Sequence, residues 1–92
     1  MPIVSAVFTL SNVTATKIAE PSVMPHRVTV HNMTKSSNQF VHIGNANVTT
    51  ANSIHIDPAE TVKIELGPGD ELFAVSNPDG LVVGVLDVRK NA

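Results

Sequence analysis

The sequence predicts an all-β fold, a single small antiparallel β-sandwich or jelly-roll-like barrel of about seven or eight short strands. Three observations support this prediction. Apolar and polar residues alternate with a period of two, turn residues interrupt the alternation about every ten residues, and no stretch has helical periodicity. The 92 residues also include fourteen Val, six Ile and eight Thr, which suit a pleated, half-buried surface.

The predicted strands follow one another along residues 1–92, which we interpret as one domain. The first two, with the less regular patterns, are residues 3–10 and 12–19. The others are residues 28–32, 40–43, 53–56, 61–66, 71–77 and 81–89. The last two are apolar on both faces, so we expect them to be central or to be covered on one side by a partner.

Two turns between these strands have a defined chemistry. Residues 67–70 fit a type II turn, because Pro68 and Gly69 occupy its two demanding positions. Residues 77–80 fit a type I turn in which Gly80 takes the left-handed conformation and closes a hairpin between the last two strands. By contrast, residues 20–27 form an irregular loop, since their prolines prevent a regular element.

Composition excludes several classes of function. The net charge is −2 and the six Lys and Arg are scattered, so no basic stripe is present to bind nucleic acid. The chain has no Trp or Tyr to form a stacking platform, and no Cys for disulfides, thiolate zinc sites or nucleophilic catalysis. Neither a signal peptide nor an apolar run of about 20 residues is evident, so we expect synthesis in the cytoplasm and no membrane partner.

Histidine is the first candidate for chemistry. His31, His42 and His55 lie on three predicted strands, each opposite the aliphatic row, so they are expected to face solvent or a subunit boundary. They form no His-x-His pair, and the carboxylates and serines occur in no catalytic motif. The sequence therefore predicts no metal, no cofactor and no enzymatic activity.

The rings of Phe40 and Phe73 are out of phase with the neighbouring aliphatic rows. They belong either to a second layer of the sandwich core or to an exposed patch. We favour the second core layer, because each sheet of a sandwich buries one face.

Four segments resemble a known class of proteins: residues 40–44 (FVHIG), 47–50 (NVTT), 56–66 (IDPAETVKIEL) and 68–76 (PGDELFAVS). With the residues between and after them, they cover about residues 28–88. They resemble small virion proteins of tailed bacteriophages, namely capsid decoration, cement or head-fibre proteins. In one departure, IDPAE replaces the commoner glycine-rich turn of that class.

The resemblance implies a phage capsid decoration (cement) protein that binds the outer surface of the major capsid protein shell and stabilises it. It also implies a homo-oligomer, with a trimer favoured, and a place on the virion's outer capsid surface. The first alternative is a tail-fibre or baseplate structural module. A cupin-like enzyme or a sugar-binding domain is a more distant one.

Two segments are candidates for the contact with the capsid or with another subunit. Residues 1–10 form a possible attachment strand, because Ile3, Val7 and Phe8 give it apolar residues on both faces. In the loop, Met24 offers an adaptable apolar contact and Arg27 a bidentate donor for a carboxylate. The alternative for residues 3–10 is an ordinary internal strand of the domain.

Overall fold

The computed structural model describes residues 3–51 and 54–89, and these residues form eight strands and no helix. Met1 and Pro2 of the predicted attachment strand and Ser53 of the predicted fifth strand lie outside the described residues. The strands are β1 (Ile3–Thr9), β2 (Thr16–Ala19), β3 (His26–Asn32), β4 (Phe40–Gly44), β5 (Ile54–Ile56), β6 (Thr61–Leu66), β7 (Leu72–Asn77) and β8 (Val82–Arg89).

The strands form two antiparallel four-stranded sheets. The first sheet has the order β1-β8-β3-β6 and the second the order β2-β7-β4-β5. Every connection except that between β4 and β5 carries the chain from one sheet to the other, which is the winding of a jelly roll. The predicted fold class is therefore confirmed.

The core lies between the two sheets and is aliphatic. Val28 and Val30 of β3 face Val41 and Ile56 of the second sheet, and each of the four side chains is at most 1% exposed. The alternation in the sequence predicted these inward positions, because successive residues of a strand point to opposite faces. Hence each sheet has a separate outer face, where interactions with other molecules are possible.

The predicted hairpin between the last two strands is wrong. β8 pairs with β1 and β3 in the first sheet, whereas β7 pairs with β2 and β4 in the second. Residues 78–81 therefore cross between sheets. Gly80 has the expected left-handed conformation, with φ of 85°, and its N–H donates to the Leu10 carbonyl at 2.9 Å. The Asn77–Pro78 peptide bond is cis.

The turn between β6 and β7 follows the prediction. Gly69 has φ of 81°, and the Asp70 N–H donates to the Gly67 carbonyl at 3.1 Å, as in a type II turn. The second strand is shorter than predicted, since it begins at Thr16. Before it, the Ser11 hydroxyl accepts hydrogen bonds from the N–H groups of Val13 and Thr14, which form a local turn.

Candidate interaction surface

The outer face of the first sheet is divided into an apolar half and a polar half. The apolar half carries the outward side chains of β1 and β8, and the polar half those of β3 and β6. In the apolar half, Ile3 and Val7 are each 64% exposed and Leu86 is 40% exposed. An exposed apolar patch rimmed by polar residues is typical of a surface that binds another macromolecule.

The strand register aligns the two halves across the sheet. Ile3 of β1 is opposite Val88 of β8, Val88 is opposite Arg27 of β3, and Arg27 is opposite Glu65 of β6. Three of the five predicted contact residues, Ile3, Val7 and Arg27, therefore share this face.

The other two predicted contact residues lie elsewhere. Phe8 points inward and packs partly buried against the core. Met24 lies half-buried in the loop before β3, whose Ser22 carbonyl accepts a hydrogen bond from the Gly69 N–H at 2.8 Å. That loop is thus fastened to the β6–β7 turn. The residues of β1 form an integral strand of the first sheet with an exposed outer face.

A groove of about 460 Å³ crosses the centre of the apolar half. Its floor is Gly84, which pairs with Val7 on one side and with His31 on the other. Met33 and Leu86 form parts of its walls. The groove exists because Gly84 has no side chain, and a Cβ built there would lie 3.4 Å from the Met33 sulfur.

The polar half carries an ion pair and a side-chain hydrogen bond that are open to solvent. Arg27 Nε donates to Glu65 Oε1, with both side chains more than half exposed. His31 Nδ1 lies 2.7 Å from the Thr61 hydroxyl, and Lys63 is exposed nearby on β6. Exposed ion pairs add little to stability, so Arg27 and Glu65 can exchange partners at low cost.

The outer face of the second sheet is covered by its own rings. Phe40 meets His55 edge to face with 5.3 Å between centroids, and the Lys17 ammonium lies 6.0 Å from the Phe73 ring centroid. The expectation that Phe40 and Phe73 form a second core layer is wrong. On β4 the inward positions belong to Val41 and Ile43, so the alternation places Phe40 outside.

The histidines divide by exposure. His55 is exposed and His31 is half-buried. His42 lies on the outer side of β4, opposite the aliphatic row as predicted, but it is only 8% exposed and therefore does not face solvent. Its ring lies 6.1 Å from that of His55, the residue opposite it in the register. Burial, and to a lesser extent the charge of His55, lower the pKa of His42.

One carboxylate pair lies at the turn between β5 and β6. Asp57 Oδ1 is 3.2 Å from His55 Nε2, and a hydrogen bond with Asp57 raises the pKa of Glu60. Among residues 3–51 and 54–89, no group of three His, Asp or Glu side chains could hold a metal ion. The same residues contain no helix with the length and hydrophobicity needed to cross a membrane.

Sequence reasoning missed a buried polar pair inside the first sheet. His26 Nδ1 lies 2.7 Å from Asp87 Oδ1, with the two side chains 0% and 4% exposed. The other ring nitrogen of His26 has no hydrogen-bond partner among the described residues. Alternation could have found the pair, because Asp87 is in phase with the inward residues Val83 and Val85 of β8.

Comparison with known proteins identifies the fold. No protein-family model matches the chain, and no curated protein sequence matches it. A similar solved structure is a protein of Bacillus endospore appendages, described as a novel family of disulfide-linked pili. It is 10% identical, the match covers 98% of this chain and 87% of that one, and the TM-score is 0.60. The fold of this chain is thus shared with a structural protein of an assembled appendage.

Proposed function

We propose that this protein is a capsid decoration protein of a phage, which binds the outer surface of the major capsid protein shell and stabilises it. The observation that carries the proposal is the exposed apolar half of the first sheet. Leu86 is opposite Ser5, between Ile3 and Val7, so the three exposed side chains are neighbours that a partner would remove from water. The proposal assigns no catalytic role to the chain.

Two further observations support a structural role. The jelly roll is a common fold of viral capsid proteins, and residues 28–88 resemble phage decoration proteins. The solved structure with the same fold is of a protein of endospore appendages, which are pili. Those pili are disulfide-linked, whereas this chain has no cysteine, so its own contacts would be non-covalent.

The energetics favour attachment as an oligomer. Burying Ile3, Val7 and Leu86 would contribute about 1.5–3 kcal/mol for each side chain that becomes fully buried. Association costs roughly 4–15 kcal/mol in lost translational and rotational freedom, so one such face binds weakly. A homo-oligomer would present several faces to the shell, and its avidity would exceed the affinity of a single face.

Binding to purified particles stripped of the protein tests the proposed face. Leu86→Asp places a charge in the apolar half, and we expect it to bind at least tenfold more weakly. Val13→Asp is the matched control, since Val13 is 85% exposed in the turn before β2 and lies outside the face. Equal binding by the two folded variants would contradict the proposed docking face.

The location in the virion needs a separate experiment. Heads and tails separated from purified virions would be analysed by quantitative mass spectrometry. The proposal expects many copies in the head fraction. A few copies confined to the tail fraction would instead support a tail-fibre or baseplate module and overturn the capsid role.

A further inference from the structure

The two sheets have four edge strands, and three of them are protected against pairing with another chain. Natural proteins protect edges with charged side chains, short strands or irregularities, because unpaired N–H and C=O groups attract other strands. β6 carries Lys63 and Glu65 on its outer face. β2 has four residues, including Lys17, and its register shifts after Lys17, while β5 has three residues.

The fourth edge, β1, has none of these protections. Its seven residues, Ile3–Thr9, contain no charge and no proline. It pairs with β8 residue by residue along its whole length, without a bulge. Ile3, Val4 and Val7 are each at least half exposed, so both the side chains and the backbone of this edge are open to a partner.

We infer that β1 pairs antiparallel with β1 of a second copy of this chain, across a two-fold axis normal to the sheet. Such a contact is isologous, so the edge must complement itself, and β1 has no charges that would oppose one another. The two first sheets would then become one continuous eight-stranded sheet. Main-chain hydrogen bonds supply affinity in this kind of strand addition.

The geometry of β1 fixes the register. Only a register with Ala6 opposite Ala6 of the second copy pairs all seven residues. Outward side chains then face outward ones, so Ser5 is opposite Val7. On the inner side, the exposed Val4 is opposite Phe8, and directly opposite side chains in antiparallel strands are in contact.

An opening beside β1 favours a second copy as the occupant. A cavity of about 120 Å³ lies between β1 and β2, with Val4, Ala6 and Phe8 among its lining residues. A specific interface buries at least about 1,000 Å² in total. In the proposed register, Val4 and Phe8 of the second copy would cover this opening and so enlarge the contact beyond the paired backbones.

The choice between a dimer and a trimer follows from the same edges. A three-fold ring uses heterologous contacts, so β1 would have to pair with a different edge of the next copy. The other edges are β6, β2 and β5, whose charges or short lengths oppose such pairing. The inference is therefore a two-fold dimer rather than the trimer that the resemblance implies.

Two double variants with charges at the same positions test the contact. S5K with V7K places like charges opposite each other twice across the axis, whereas S5K with V7E places opposite charges there. Sedimentation equilibrium should give the wild type twice the 9.7 kDa chain mass. The first variant should be monomeric and the second dimeric, and Val13→Lys, a control in the exposed turn before β2, should remain dimeric.

Several outcomes would overturn the inference. They are a monomeric wild type at every concentration, a trimeric mass, or equal behaviour of the two folded double variants. Leu86→Asp should remain dimeric, because Leu86 lies one strand away from the edge, although its binding to capsids should fall. A failure of the proposed capsid contact is thus distinguishable from a failure of the dimer contact.

Discussion

The outer faces of the two sheets differ in what covers them. On the second sheet, Phe40 and His55 pack against each other, and Val75, which is opposite His42 in the register, is only 1% exposed. On the apolar half of the first sheet, Ile3 and Val7 have no such cover. Both faces contain apolar side chains, but only the second sheet shields its own.

The difference shows where this small domain would gain most from a partner. A sandwich needs to bury only the inner face of each sheet, so an outer face is free to remain polar. On the second sheet, ring side chains of the sheet itself cover the outer face. The first sheet leaves aliphatic side chains exposed, which lowers solubility unless a partner covers them.

The largest expected change in the free energy of unfolding comes from removing the buried polar pair on the inner side of the first sheet. His26 and Asp87 join β3 to β8 directly beneath the exposed face. Asp87→Ala leaves the buried Nδ1 of His26 without this hydrogen-bond partner, and an unsatisfied buried polar group costs about 1–3 kcal/mol. Urea denaturation monitored by circular dichroism measures the change in the free energy of unfolding.

A matched variant on the outer side of the same sheet serves as the control. Glu65→Ala removes the partner of Arg27 at an exposed position, so it should change the free energy of unfolding by less than about 1 kcal/mol. If Asp87→Ala were as stable as Glu65→Ala, the buried pair would not support the sheet.

The second prediction concerns pH and applies to the second sheet. The pKa of His42 is lowered in the folded protein, so below its ordinary value of 6.5 the unfolded chain binds the proton more readily. Stability from this group is present above pH 6.5 and is lost as the pH falls below it. His42→Gln should therefore flatten the decrease in Tm between pH 7 and pH 5, measured against the wild type.

His55→Gln sharpens this prediction. Burial is the larger cause of the lowered pKa of His42, and the charge of His55 is the smaller one. His55→Gln should therefore reduce the fall in Tm between pH 7 and pH 5 by less than His42→Gln does. Two identical profiles would show that burial does not control the pKa of His42.

The strands were predictable because each depends on local alternation. Val28 and Val30 appear at every second position and are both buried, as the pattern requires. The partners of the strands were not predictable in the same way. The short connection at residues 78–80 suggested a hairpin between β7 and β8. In the structure, both edges of β8 pair with strands distant in sequence, β1 and β3.

The candidate surface was predictable only in part. The sequence indicated that Ile3 and Val7 are available for contact, because β1 has apolar residues on both faces and the core can cover only one of them. In the structure both side chains are exposed. The groove above Gly84 could not be predicted, because it depends on which side chains the neighbouring strands place beside a glycine. The burial of His42 was not predictable either, because its own strand pattern does not show that the ring of His55 lies beside it on the neighbouring strand.

A smaller change in stability is expected in the turn that connects β5 to β6. Ala59 has φ of 64° in the turn from β5 to β6, a left-handed conformation that costs an L-residue about 1–2 kcal/mol. Glycine avoids that cost but makes the unfolded chain more flexible, so Ala59→Gly should stabilise the protein by about 0.5–1 kcal/mol. Gly69→Ala, at φ of 81° in the turn after β6, should destabilise it, and a destabilising Ala59→Gly would contradict the assigned turn.

The smallest expected change in stability comes from replacing the outward glycine on each sheet with alanine, which compares the two outer faces directly. At Gly84 a Cβ would make an ordinary contact with Met33, whereas at Gly44 it would lie 3.1 Å from a methyl group of Val48. Glycine weakens a strand, so Gly84→Ala should stabilise the protein by about 0.5 kcal/mol. Gly44→Ala should bring the same stabilisation of its strand, but crowding against Val48 should cancel it.

Filling the groove with the Gly84→Ala methyl group should also weaken capsid binding. A Gly84→Ala variant that is more stable and binds less would show that the groove is kept open for a partner at the expense of stability. Unchanged binding would mean that the partner contacts the apolar half without entering the groove.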